Sequence, residues 1–183
     1  GLSALIPRMR CADPLNGMYL RQGVFELCMQ ASWYTVMAMP EMLKQHRDPQ
    51  QLQDILVNLA NDIDALPTTG YAHRPLDQYA PLRRPGVAGP MTNTFFTALH
   101  NPINAGKLDF LNITNKLADI TIPTFHVGGW YDIFLQQSID DYVLMRSRGV
   151  PTQLLIGPGA HGVVTMNPVG ERVFGVRAQD LSL

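Results

Sequence analysis

Cysteine, charge and long apolar runs are all scarce in this sequence, and each scarcity removes a class of function. Its 183 residues include two cysteines, Cys11 and Cys28, with no C-x-x-C spacing and no clustered histidines. That excludes a disulfide framework and a zinc motif, and both thiols are expected to be buried. Charged residues make up 16% of the chain and the formal net charge is -1. Neither nucleic acid nor an anionic membrane is therefore expected as a partner. The basic pair Arg83-Arg84 stands alone and reads as solvated. No stretch reaches the roughly 18 to 20 apolar residues of a membrane span. The opening Gly1-Leu2-Ser3-Ala4-Leu5-Ile6-Pro7 lacks the basic start and apolar run of a signal peptide. The compartment is left open, with the cytoplasm favoured. His46, His73 and His100 share no metal-ligand spacing, so no metal is expected. No serine or cysteine sits in a G-x-S-x-G elbow, which matters for the chemistry below.

What is present is a core. Hydrophobic residues make up 46% of the chain, the composition of a packed protein. Three short apolar or β-branched runs ended by Gly or Pro read as buried parallel strands: residues 3–7, 122–127 and 152–156. Between the last two, Ile139, Tyr142, Val143 and Arg146 recur at helical spacing, with Gly149 as a stop. Strand, helix and strand in that order form the right-handed parallel unit. The middle of the chain differs. Residues 22–39 are apolar nearly all round, and the spacing predicts a buried helix; the methionines of 29–42 (Met29, Met37, Met39, Met42) read as core or cap packing, with the lining of an adaptable acyl pocket as the alternative. Asp48-Pro49 opens a second helix with the apolar stripe Leu52, Ile55, Leu56, Leu59 and Ile63. Residues 68–90 read as an extended connector with a short turn near 76–79, and 92–99 as a further helix. The expected fold class is α/β, with about three parallel strands. The strand-bearing core comprises 1–13 and 116–183, and a mostly helical insertion covers 14–115.

Asp132 follows the second strand and His161 the third, in Gly128-Gly129-Trp130-Tyr131-Asp132 and Gly157-Pro158-Gly159-Ala160-His161-Gly162. The C-terminal edge of a parallel sheet is where function gathers. A carboxylate and an imidazole delivered there are two thirds of a hydrolytic triad, orienter and proton acceptor. The bland alternatives are a helix cap for Asp132 and a loop position for His161. Trp130 and Tyr131 beside the acid, with Phe95 and Phe96 in the helical part, are candidate substrate-binding residues. His126 reads as a satisfied core histidine, and Asp140-Asp141 as a solvent-facing pair. Three strands are little sheet for a domain, and Asp180-Leu181-Ser182-Leu183 looks like a helix start. The chain is thus expected to be part of something larger, with an open edge strand inviting self-association.

The run from Ile122 through Asp132 to Phe134, with Leu154-Leu155-Ile156-Gly157-Pro158 and His161-Gly162, resembles the cocaine esterase-like serine hydrolases. That family takes in X-Pro dipeptidyl peptidases, α-amino acid ester hydrolases and glutaryl cephalosporin acylases. The stretch Gly170-Glu171-Arg172-Val173-Phe174-Gly175 resembles the segment just after the family's histidine, and 14–115 resembles its helical cap. Gly159 departs from the pattern, since a tryptophan is usual there. The resemblance implies a partial α/β-hydrolase sheet, Asp132 as triad acid and His161 as general base. It implies a small-molecule ester or amide substrate, and neither metal nor organic cofactor. It also implies that the serine and the oxyanion-hole tyrosine belong to a missing N-terminal half of the hydrolase domain, which would be this chain's partner. The alternative is a non-catalytic binding or interaction module derived from such a hydrolase.

Overall fold

Helical spacing dominates residues 22–100, and those helices collect in one compact unit, Tyr19–Lys107. The strand-forming runs collect in another, Gly1–Met18 with Leu108–Leu183. The structure, a computed structural model, describes residues 1–100, 112–162 and 168–175. The expected helix start at Asp180 lies outside the described residues.

In the helical unit a small antiparallel ladder, β1 (Leu20–Arg21) with β2 (Val24–Phe25), turns at Gln22 and Gly23, both with positive φ. Such a turn cannot continue a helix, so α1 begins later than its apolar run, at Leu27, and ends at Gln45. It passes through Pro40, which takes the partner from the Val36 carbonyl. Val36 lies on the exposed side, where water can replace the lost donor. Nor is α1 buried all round. Tyr34, Thr35, Ala38 and Met42 face inward, while Trp33, Val36 and Leu43 are exposed. Cys28 is exposed as well and Cys11 is half-buried, against the expectation for both.

Helix α2 (Pro49–Asp64) is built as its sequence indicates: the Asp48 side chain accepts from the Gln51 N–H at 2.7 Å, and Ile55 and Leu59 are buried. The connector after it is not simply extended, since a 3₁₀ turn at Leu76–Gln78 leads into α3 (Ala80–Arg83) and then α4 (Pro90–His100). The two arginines there are not merely solvated. Arg84 grips Asp62 through two hydrogen bonds of 2.6 Å, and the Arg83 guanidinium stands 3.6 Å over the Phe96 ring. The core of this unit is aromatic: the Phe95 ring lies 5.8 Å from Tyr34, 5.4 Å from Tyr79 and 5.1 Å from Phe96.

The second unit carries a small parallel sheet with a helix on it, an α/β arrangement. Strand β3 (Thr124–Tyr131) pairs in parallel with β4 (Thr152–Ala160), and α5 (Leu135–Ser147) makes the crossover. Residues 5–9 run parallel to β3 as isolated bridges, with Leu5 N–H to Pro123 C=O at 2.9 Å and Met9 N–H to Val127 C=O at 2.8 Å. Pro7 has no N–H to give, which interrupts the ladder.

Both strands outrun the glycines expected to stop them. Of these, Gly129 serves close approach. A Cβ on Gly129 would lie 2.4 Å from the Gly159 carbonyl oxygen. From Gly129 to Tyr131, β3 takes two steps while β4 takes three, from Gly157 to Ala160. This bulge in β4 holds Pro158, a residue that cannot donate to a ladder.

Alternation along β3 then assigns its faces. Thr124, His126 and Gly128 meet residues of α5, whereas Val127 packs with Met9, Phe125 and Leu155. The face of α5 that meets the sheet is not the apolar one. Ser138, Asp141 and Met145 are buried, while Val143 is exposed. Asp141 therefore corrects the expectation of a solvent-facing acidic pair: Arg10 meets its carboxylate at 3.1 Å and draws it inward, leaving Asp140 outside.

Candidate active site

The chain turns sharply at the end of β3. The Asp132 N–H donates back to the Gly129 carbonyl at 3.0 Å, and the Leu135 N–H donates to the Asp132 carbonyl at 3.1 Å. The side chain joins in, with Oδ1 accepting from the Phe134 N–H at 3.0 Å, the i to i+2 bond of an Asx turn. The bond shapes the turn ahead of α5 rather than capping it, since the cap position is Phe134 and receives no side-chain bond. The same oxygen has a second partner. His161 Nδ1 lies 2.9 Å from Asp132 Oδ1, so turn formation and pairing coexist in one carboxylate.

Exposure is unequal across the pair. The Asp132 side chain is fully covered, while that of His161 is 46% exposed. With the carboxylate as acceptor, Nδ1 carries the proton and Nε2 presents its lone pair. No hydrogen bond of Nε2 is found among the described residues. The Phe134 ring stands edge-on to the imidazole, centroids 5.1 Å apart at 87°. Asp132 Oδ2 is buried and has no partner among the described residues.

Trp130 and Tyr131 lie beside the acid and are 62% and 69% exposed. Phe95 and Phe96 are placed differently. Both are buried in the core of the helical unit. His126 is buried, but it is not satisfied, since neither ring nitrogen has a partner among the described residues. Burial first, and Arg10 second, push its pKa down and keep the ring neutral. The Cys11 thiol is pushed up to about 12 by burial, with Asp13 and Asp141 adding to it and Arg10 opposing. It stays protonated near neutrality and offers no thiolate nucleophile.

Serine is the remaining nucleophile to place. Ser138 is buried and directs Oγ to the Arg10 carbonyl, Ser32 bonds Tyr71, and Ser147 bonds Leu144. No described serine is hydrogen-bonded to His161. Among the described residues no three His, Cys, Asp or Glu side chains gather to hold a metal ion.

Two residues at this site escape a reading of the sequence. Phe134 carries a signal, its position two residues after an aspartate. Met9 carries none, because its partner Gly162 is 153 residues away. The family model described as X-Pro dipeptidyl-peptidase (S15 family) matches residues 1–163. No curated protein matches the chain.

Proposed function

The chain belongs to the X-Pro dipeptidyl-peptidase (S15) family of hydrolases, and on that basis we propose that it supplies the acid and base of a serine hydrolase acting on ester or amide bonds. The observation that carries this is the 2.9 Å bond from His161 Nδ1 to the covered carboxylate of Asp132, with the rest of the imidazole open to solvent. Nε2 accepts the proton of a serine hydroxyl as that oxygen attacks the acyl carbon. The imidazolium, steadied by Asp132, then gives the proton to the leaving group. A water deacylates the enzyme by the same two proton transfers. The serine comes from a hydrolase segment outside these 183 residues, and 14–115 acts as its cap. Trp130 and Tyr131 contact the substrate, a role supported by their exposure beside the acid.

Treatment of the chain alone with a fluorophosphonate, read by intact mass, should give no adduct. Supplied with the nucleophile segment, the assembly should take the label, and His161→Ala or Asp132→Asn should lower kcat on the order of 10⁴-fold. An adduct on a serine of this chain, or near-normal turnover in either variant, would overturn the assignment.

A further inference from the structure

Met9 adopts φ +46, a left-handed conformation that strains any residue bearing a Cβ. Its backbone is pinned there by the bond from its N–H to the Val127 carbonyl. The side chain is buried against Val127, Phe125 and Leu155. Two contacts then reach toward the acid–base pair from opposite sides. The Gly162 N–H points at the Sδ atom in close contact, immediately after His161, where the backbone has φ +86. The Cε methyl lies 3.5 Å from the position of a Cβ on Gly129, the residue whose carbonyl closes the Asp132 turn. The thioether thus meets the chain just past the base, and its methyl lies near Gly129, just before the acid.

We infer that Met9 is a positioning residue for His161: its sulfur holds the Gly162 peptide so that the imidazole meets Asp132. The need for such a hold comes from the site itself. The β3–β4 ladder ends at Ala160, and the His161 side chain is half open to water. Without an anchor just past the ladder, the ring would lose its register against the acid. An unbranched thioether suits the task, because it fills an irregular gap and also accepts a hydrogen bond, whereas leucine of similar volume only fills the gap. Backbone strain retained beside a reacting pair is consistent with a placement that packing alone does not require.

This inference rests on the Asp132–His161 reading, and NMR of the 183-residue chain separates the two. In the parent, the His161 Nδ1–H resonance should be present and should vanish in Asp132→Ala, which removes the acceptor. In Met9→Leu the Gly162 amide should move, and the Nδ1–H should exchange with water roughly twofold faster, the low end for one hydrogen bond because a thioether is a weak acceptor. A general packing defect would lower the melting temperature and leave that signal alone. A Nδ1–H signal lost in Asp132→Ala yet untouched in Met9→Leu overturns the role of Met9 only. A signal indifferent to Asp132→Ala overturns both. Should Met9→Leu not fold, methyl-labelled methionine in the parent decides: no NOE from the Met9 methyl to Gly129 and the Gly162 amide overturns the inference.

Discussion

Asp141 shows how much one buried charge can shape a surface helix. Burial holds its pKa up at about 6, with Asp140 adding to the effect and Arg10, 3.1 Å away, opposing it. A carboxyl whose folded pKa lies above its unfolded value of 3.8 stabilises the fold while protonated. That contribution is complete below the unfolded value and is lost as pH rises through the folded one. Asp141→Asn should therefore gain stability relative to the parent between about pH 4 and about pH 7, by on the order of 3 kcal/mol at ~1.4 kcal/mol per pH unit. Urea melts of both proteins across that range test this; a constant difference would show that Asp141 does not titrate there. The sequence cannot single out Asp141 from Asp140, because the distinction depends on Arg10, which is remote in the chain. Asp132 and His161 are legible for the opposite reason. Each owes its place to a strand end that its own neighbours encode.

At the scale of elements, the two glycines of β3 separate a packing requirement from a stop signal. Gly129→Ala would put a methyl 2.4 Å from a backbone oxygen of β4, so the strands must part. A cost of about 1–3 kcal/mol is expected, with loss of the His161–Asp132 bond at the displaced end. Gly128→Ala meets its nearest neighbour at 3.6 Å, ordinary contact, and should be tolerated. Thermal melts of the two variants side by side check the contrast, and equal losses would refute it. The same comparison explains which elements are legible in sequence. Helix α2 carries its cap and stripe within its own residues and lies where they predict. The ends of α1, β3 and β4 are harder to read, because Pro40, Gly129 and Pro158 look like breaks. Each is accommodated by its setting: an exposed carbonyl, an approaching strand, a bulge. The inward face of α5 is illegible because periodicity counts apolar residues, whereas Arg10 pulls a polar face inward.

For the whole molecule, the helical unit has a core of its own. Tyr34, Tyr79, Phe95, Leu59, Leu82 and Met42 are all fully buried within residues 19–107. That segment, expressed alone, should give a helical circular dichroism spectrum and a cooperative melt. A featureless spectrum or a melt without a transition would show that its packing depends on the rest of the chain. Phe95 and Phe96 belong to this scale as well. Two adjacent aromatics in a helical stretch suit a pocket or a core equally, and only the rings around them distinguish the two.

The bulge in β4 carries a further consequence, for lineage rather than for chemistry. Acid and base meet across adjoining strands, so the 29-position interval between them is no ruler of their distance. The crossover helix can gain or lose a turn among descendants while the pair stays in place. Deleting the single extra position at Pro158 or Gly159 would do the reverse: length would barely change, and His161 would be turned to the other side of the sheet.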